Sequence, residues 1–183
     1  MLTAEFWAMF AVGLWETLYV VVLSTLFSYI IGLPLGLLLA VTDQDGLRPS
    51  AGVNKVFGTV VNLLRSVPFL IMVFLLTAFT RLIVGTTVGS PAMIPPLVIA
   101  AFPFVARLVE SSVREVDRGV IEAAQSMGAS TLQIVTRVIL PEATPSLITG
   151  ATTATVTILG YSAMAGIVGG GGLGAIAINY GYY

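Results

Sequence analysis

Long stretches without charge constrain this chain more than any other feature. Residues 17–42, 82–106 and 143–183 contain no Asp, Glu, Lys or Arg, and residues 56–80 contain a single charge, Arg65. About 20 consecutive apolar residues are enough to cross the hydrocarbon core of a membrane as a helix. The chain is therefore predicted to form an all-α, polytopic membrane helix bundle with at least four spans. The predicted spans are about 18–41, 56–79, 91–106 and 147–168.

The composition agrees with a membrane protein and excludes several other classes. Charged residues make up 9% of the chain and the mean hydropathy is +1.00, whereas a soluble domain carries about 25% charged residues. A net charge of −1 offers no basic patch for nucleic acid. The chain has no Cys and no His, and its carboxylates are scattered along the sequence. We therefore predict lipid as its surroundings, and no metal, cofactor or catalytic residue.

The basic residues are unevenly distributed, and this predicts an orientation in the membrane. The segment before the first predicted span has none, whereas residues 43–55 contain Arg48 and Lys55, and residues 107–146 contain four arginines. Loops rich in Lys and Arg stay in the cytoplasm. We therefore expect the N-terminus outside and both basic loops inside. The acidic flank and the length of the first apolar run also argue against a cleaved signal peptide.

Two features inside the predicted spans have open interpretations. Gly32 and Gly36 flank Pro34 at a four-residue spacing that lets helices approach closely, and we favour such packing over a role in gating. Arg65 precedes Pro68 within the second span. Its side chain either extends to the cytoplasmic interface or bonds to a neighbouring helix, or it faces a water-filled path.

The polar segment 117–141 is predicted to form two short helices around a glycine. Asp117 is a suitable N-cap for a helix over 120–127, and Gly128 suits the left-handed position that ends such a helix. Ser130 followed three residues later by Gln133 is the pattern of a capping box, which predicts a second helix start.

Prolines are predicted to separate this second helix from the fourth span. Pro141 has no backbone N–H, so it is expected to limit the second helix. Thr144 followed by Pro145 then predicts an N-cap and first turn for the fourth span.

The segment also carries a family pattern. Glu122-Ala123-Ala124, Gly128, Val138 and Leu140-Pro141 resemble the EAA loop of ABC importer permeases in order and spacing, with Val138 where the family usually has Ile. The resemblance implies that residues 117–141 are the cytoplasmic loop on which a separate ATPase docks; the alternative is a generic amphipathic loop helix. The expected ATPase-coupling residues are Glu122, Ala123, Ala124, Ser126, Met127, Gly128, Ala129, Leu140 and Pro141.

The end of the fourth predicted span is rich in glycine. Gly169 to Gly172 are not followed by Lys, so they do not form a phosphate-binding P-loop. Tyr161, Ser162 and Met164 lie just before them, and Met164 suits a gate because its thioether is flexible and polarizable. These three residues are candidates for the translocation path; the alternative is that they are ordinary packing residues.

Together with Trp15-Glu16-Thr17-Leu18, residues 65–69 and the loop, this end resembles the permease subunit of methionine-type ABC importers. The resemblance covers nearly the whole chain. It implies one transmembrane domain over 1–183 of the type I importer kind, in the bacterial plasma (inner) membrane. It also implies a further span after residue 183, and import of D- and L-methionine. The expected partners are two ABC ATPase subunits, a second copy of the permease and an extracytoplasmic substrate-binding lipoprotein.

Two other classes of function are alternatives to a permease. An ion-gradient-driven carrier or channel for a small neutral solute needs intramembrane Asp, Glu or His, and the predicted spans contain none. An intramembrane enzyme needs convergent catalytic groups, which these spans also lack. The only Lys is Lys55 and no Walker A pattern is present, so ATP hydrolysis is expected on a partner subunit.

Overall fold

The structure is a computed structural model that describes residues 4–181, and the secondary structure of this part of the chain is helical, without any strand. The prediction of an all-α protein is therefore confirmed. The α-helices are α1 (Ala4–Thr42), α2 (Ala51–Ser66), α3 (Phe69–Leu75), α4 (Thr77–Val84), α5 (Ile94–Arg114), α6 (Arg118–Ser126), α7 (Thr131–Ile134), α8 (Leu140–Ala165) and α9 (Gly172–Gly181). Short 3-10 turns cover Ser90–Met93 and Gly166–Val168, and a π turn covers Val135–Ile139.

Three helical segments within residues 4–181 are long and apolar enough to cross a membrane. They are Ala4–Thr42, Ser90–Arg114 and Thr131–Val168. A fourth is obtained if α2 and α3, which are bent by 100° at their junction, form one broken span. This result is compatible with the expected number of spans.

The second predicted span, 56–79, is not continuous. The helix stops at Ser66 and restarts at Phe69, and Pro68 between them has an extended backbone with φ −58° and ψ 140°. Proline cannot donate to the helical ladder, and it also disfavours helical geometry in the residue before it. The helix therefore ends before Val67.

The prolines at 141 and 145 do not separate two helices, so the predicted boundary there is corrected. Thr131–Val168 is one continuous helical segment, and Pro145 lies inside α8. The Leu140 N–H bonds to the Val135 carbonyl five residues back, and such a local π adjustment lets a helix continue past residues that cannot donate. The Thr144 hydroxyl donates to the Leu140 carbonyl over 2.8 Å, so Thr144 is not an N-cap.

The first helix begins well before the predicted residue 18. It starts at Ala4, which places Glu5 and Glu16 inside an otherwise apolar helix of 39 residues. The predicted span, residues 18–41, lies within this helix and contains neither of these carboxylates. The length of the helix corresponds to about 58 Å at 1.5 Å per residue.

The chain forms two compact units, and each is assembled from segments that are distant in sequence. The first comprises Met1–Ser28, Arg65–Ala101 and Ala154–Tyr183. Its apolar core is made by side chains of α1, α3, α5 and α8 with those of the Ser90–Met93 turn. These core residues are Val20, Val21, Phe69, Val73, Ala92, Met93, Leu97, Ala101, Ile158 and Ala165.

The second unit comprises Tyr29–Leu64 and Phe102–Thr153. Within it, α1 and α5 approach each other at the two glycines singled out in the sequence. A Cβ atom on Gly32 would lie 2.7 Å from Val105 Cγ1, and one on Gly36 would lie 2.5 Å from the carbonyl oxygen of Ala106. The interpretation of these glycines as a close-packing pair is therefore confirmed.

In the first unit, two side chains of α1 cap the N-terminus of α9. Glu16 Oε2 accepts hydrogen bonds from the backbone N–H of Gly172 at 2.7 Å and from the hydroxyl of Ser90 at 2.9 Å. Thr17 Oγ1 accepts from the N–H of Leu173 at 2.9 Å. The first N–H groups of a helix lack intrahelical partners, and a carboxylate there is favoured by the helix dipole.

We expect Glu16→Ala to destabilise the protein by about 1–3 kcal/mol, because it leaves buried donors without an acceptor. Glu16→Gln keeps an acceptor oxygen and should cost less. The measurement is denaturant unfolding of the purified protein in detergent. Glu5→Ala is the matched control, since Glu5 is an exposed carboxylate of the same helix; an equal loss in both Ala variants would contradict the capping role.

Candidate functional site

Residues 115–117 connect α5 to α6 and are called the hinge here. The Val116 N–H bonds to the Val113 carbonyl over 3.3 Å as α5 ends. Asp117 then caps α6, accepting from the Gly119 N–H at 2.6 Å. The predicted N-cap is therefore confirmed, although α6 starts at Arg118, two residues before the predicted 120.

Gly128 ends α6 in the left-handed conformation that the sequence predicts. Its φ is +79°, its N–H bonds to the Gln125 carbonyl at 2.9 Å, and the Ala129 N–H bonds to the Ala124 carbonyl at 3.1 Å. These two bonds form a Schellman motif. Apart from Gly128 and its two chain neighbours, no atom of the described chain lies within 4 Å of the position of a Gly128 Cβ, so the turn faces open space.

The capping box at the start of α7 is also confirmed. The Ser130 hydroxyl accepts from the Gln133 N–H at 3.4 Å, and Gln133 Oε1 accepts from the Ser130 N–H at 2.8 Å. Both helix ends of the bend are thereby satisfied within the segment itself, which fixes the geometry between α6 and α7.

Most of the predicted coupling residues are at the surface. Ala124 is buried at 4% exposure, whereas Met127 is 81% exposed. Leu132, which was not among the predicted coupling residues, is 72% exposed beside this turn; an apolar side chain in a polar loop was the available signal. The other predicted residues are exposed (Glu122, Ala123, Ser126, Gly128, Pro141) or half-buried (Ala129, Leu140).

The ion pairs of this region join α5, α6 and residues 43–50. Arg114 pairs with Glu110, four residues earlier on the same helix, at 2.6 Å and also with Asp43 at 2.9 Å. Arg118 pairs with Asp45 at 3.4 Å. The two basic loops therefore lie beside each other, which fits their predicted placement on one side of the membrane.

The Glu122 carboxylate and the Arg137 guanidinium are opposite charges within the segment 117–141. Among the described residues, Glu122 forms no ion pair with Arg137. Glu122 lines a cavity of about 440 Å³ together with the ion-paired residues Asp43, Asp45, Arg114 and Arg118.

The three candidate path residues have different surroundings. The Tyr161 ring stacks on Phe69 with 5.1 Å between the centroids. The Ser162 hydroxyl is buried and donates to the Leu159 carbonyl at 2.8 Å, whereas Met164 is 48% exposed. Of these three residues, Ser162 lines the small cavity beside Glu16 and Gly171, whereas Tyr161 and Met164 do not.

A comparison with protein families extends the pattern of the loop to most of the chain. Residues 32–182 match the family described as "Binding-protein-dependent transport system inner membrane component". This match covers the end of α1 from Gly32 onward and all later helices, including the whole segment 117–141.

Several curated proteins are similar over most of the chain. The chain is 50% identical over 169 residues to the probable D-methionine transport system permease protein MetI of Vibrio cholerae, covering 92% of this chain and 75% of that protein. It is 47% identical over 154 residues to the D-methionine transport system permease protein MetI of Escherichia coli K12, covering 84% of this chain and 71% of that protein.

Solved structures give the same result. The fold matches a chain of the MetNI methionine ABC transporter in an inward-facing conformation with a TM-score of 0.96 and 44% identity, covering 98% of this chain and 83% of that one. An amino acid ABC transporter matches with a TM-score of 0.76 and 22% identity, which supports the fold alone. This chain therefore belongs to the family of binding-protein-dependent transport system inner membrane components.

Proposed function

We propose that this chain is the transmembrane permease subunit of an ATP-driven importer that carries D- and L-methionine into the cytoplasm through the bacterial inner membrane. The observation that supports it most directly is the exposed, self-capped turn at Gly128 in a chain whose curated relatives are methionine permeases. Residues 1–183 act as one transmembrane domain in this proposal, because both compact units are assembled from interleaved segments of the sequence.

ATP hydrolysis belongs to separate subunits in this proposal. The only lysine is Lys55, and the Gly-rich segment 169–172 carries none of the side chains of a nucleotide-binding loop. The chain itself is then not an enzyme. The complete transporter would comprise two permease copies, two ATPase subunits and an extracytoplasmic substrate-binding lipoprotein.

We infer that residues 117–141 couple the ATPase to the membrane helices. The side chains at Ala123, Gly128 and Ala129 are short, so a partner's backbone can approach closely. Because Thr131–Val168 is one continuous helical segment, a displacement of α7 moves α8 directly. A rigid bend that is joined to a span without a linker is suited to transmitting motion.

Within the candidate path we infer separate roles. Met164 is the residue proposed to face the substrate, because its thioether is exposed in this chain and can contact an apolar solute. The stacking of Tyr161 on Phe69 and the bond from Ser162 to the Leu159 carbonyl favour packing roles for those two side chains.

The proposed function is tested by uptake of labelled methionine into liposomes that contain the complete importer. We expect uptake to require ATP and to be reduced by unlabelled D- and L-methionine more than by other amino acids. Uptake without the ATPase subunits would contradict the proposal and favour a gradient-driven carrier. ATP-dependent uptake that another amino acid inhibits more strongly would retain the class and change the substrate.

Docking of the ATPase on residues 117–141 is tested by crosslinking. The chain has no cysteine, so a single Met127→Cys variant places one thiol at an 81% exposed position of the turn. With a short bifunctional reagent we expect a covalent product between permease and ATPase. Leu82→Cys is the matched control, at 83% exposure in α4. Equal crosslinking of both variants to the ATPase would contradict a specific docking surface.

A further inference from the structure

Two aspartates of the loop between α1 and α2 hold the hinge between α5 and α6 from both sides. Asp43 pairs with Arg114, the last residue of α5, and Asp45 pairs with Arg118, the first residue of α6. We propose that residues 43–50, here the hinge clamp, position residues 117–141, the proposed coupling segment. The coupling segment then moves together with the ends of α1 and α5. This inference rests on the proposed function and adds a second cytoplasmic element to coupling.

The hinge clamp is itself a compact, hydrogen-bonded structure. The N–H groups of Arg48 and Ser50 bond back to the carbonyls of Val41 and Thr42 at 2.9 and 3.0 Å. The side-chain amide of Asn54 donates to the Leu39 carbonyl at 2.8 Å. These bonds satisfy carbonyls at the end of α1 that lack helical partners. The loop is therefore fixed to α1, and its aspartates follow any movement of that helix.

Arg114 connects the hinge clamp to a buried carboxylate, that of Glu110. Nη2 of Arg114 contacts both Asp43 Oδ2 at 2.9 Å and Glu110 Oε1 at 2.6 Å. The side chain of Glu110 is only 6% exposed, and Arg107 Nη1 contacts its other oxygen at 2.6 Å. A buried carboxylate is costly unless it is paired, so Arg114 is held in place, and with it the position of Asp43.

Helix α6 has little apolar packing of its own, and it contacts the hinge clamp through the Arg118–Asp45 ion pair. Of its residues only Ala124 is buried. A cavity of about 440 Å³ is lined by residues of both elements, Asp45 and Gly46 of the hinge clamp and Ile121 and Gln125 of α6. Because α6 is not packed into a core, we expect the ion pairs at its start to influence the direction in which it follows residues 115–117.

The two ion pairs should contribute unequally. Arg118 and Asp45 are each 72% exposed and 3.4 Å apart, and exposed pairs are weakened by solvent and side-chain entropy. Arg114 and Asp43 are closer, and the aspartate is only 28% exposed. Removing the Asp43 carboxylate should therefore weaken the coupling of ATP hydrolysis to uptake more than removing the Asp45 carboxylate. Removing both carboxylates should weaken it most.

The test uses the complete importer in liposomes and measures methionine taken up per ATP hydrolysed. We expect Asp43→Asn/Asp45→Asn to lower this ratio roughly fivefold, the lower end of typical coupling factors, while ATPase binding and ATP hydrolysis persist. Gln44→Lys is the matched control, because it changes the charge of the same loop by the same sign without removing an ion pair. A ratio unchanged in the double variant, or equally lowered in the control, would overturn the inference.

Charge reversal distinguishes positioning from general stability. Asp45→Arg alone should lower the ratio, and Asp45→Arg/Arg118→Asp should restore it by rebuilding the pair in the opposite sense. A swap that performs no better than the single variant would also overturn the inference. If the unaltered importer shows no ATP-dependent uptake, the proposed function fails and this inference fails with it. If the unaltered importer shows ATP-dependent uptake and the variants keep the same ratio of uptake to ATP hydrolysis, the proposed function stands and only the role of the hinge clamp is refuted.

Discussion

Replacing Gly128 by Val is expected to lower ATP-dependent uptake at least tenfold. Gly128 has a φ of +79°, where an L residue with a β-branched side chain is strained by roughly 1–2 kcal/mol or more. The N–H bonds of Gly128 and Ala129 that close α6 depend on this conformation, and each is worth about 0.5–1.5 kcal/mol. Together these losses exceed the ~1.4 kcal/mol that corresponds to a factor of ten.

The measurement is uptake of labelled methionine by the complete importer, together with hydrogen exchange at the Gly128 turn. In Gly128→Val we expect faster exchange of the Ala129 amide as well as loss of uptake. Unchanged exchange would mean that the chain accommodates Val and that the backbone argument is wrong.

Gly128→Asn separates the shape of the turn from the space that docking needs. Asn tolerates the left-handed conformation, and no atom of the described chain lies within 4 Å of the new Cβ. We therefore expect normal exchange protection but reduced uptake, because the added side chain keeps the ATPase at a distance. Gly85→Asn is the matched control, since Gly85 ends α4 with a φ of +82° and an equally open Cβ position.

Uptake should remain normal in Gly85→Asn. Normal uptake in Gly128→Asn would instead show that the turn needs only its backbone conformation and does not face the partner closely. Gly128→Asp adds a charge at the same position and should be at least as damaging as Asn.

The short-range features of the coupling segment could be predicted because their signals are local. The capping box depends on Ser130 and Gln133, three residues apart, and the end of α6 depends on one glycine. Each of these interactions is completed within a few residues of its own sequence. Their geometry therefore varies little with the rest of the fold.

The effect of each proline could not be predicted from sequence, because proline ends a helix at one position of this chain and lies within a helix at others. Pro68 separates α2 from α3, whereas Pro34, Pro103 and Pro145 lie inside helices. Whether a helix continues past a proline depends on neighbouring groups that satisfy the freed carbonyl. Sequence alone does not identify those neighbours, so the boundary predicted near Pro141 was misplaced.

Long-range polar contacts could not be predicted at all. Glu16 reaches Ser90 and Gly172 across 74 and 156 residues of sequence, and Asp43 reaches Arg114 from a different loop. Such partners are chosen by the packing of helices, which the spacing of residues within one helix does not encode. The first span was predicted to begin at about residue 18, after the charges of Glu5 and Glu16, whereas α1 begins at Ala4.

Gly36→Leu is expected to prevent the protein from accumulating in a folded form. A Cβ atom at Gly36 would stand 2.5 Å from the Ala106 carbonyl oxygen and 2.7 Å from Val109 Cβ. The first of these neighbours is backbone, which cannot move away as the end of a side chain can. Overfilling a packed core costs typically about 1–3 kcal/mol, and a backbone clash between α1 and α5 should exceed that range.

The measurement is the yield of monodisperse protein extracted from membranes, followed by thermal unfolding in detergent. Gly36→Ala should retain a folded fraction with a lowered midpoint, because one methyl group separates the helices only slightly. Gly52→Leu is the matched control, since Gly52 is exposed in the first turn of α2 and has no described atom within 4 Å of its Cβ position. If Gly36→Leu and Gly52→Leu give the same yield and midpoint, the contact between α1 and α5 does not determine the stability of the second unit. A defect confined to Gly36 would show that the small residues of α1 are required for folding before any question of transport arises.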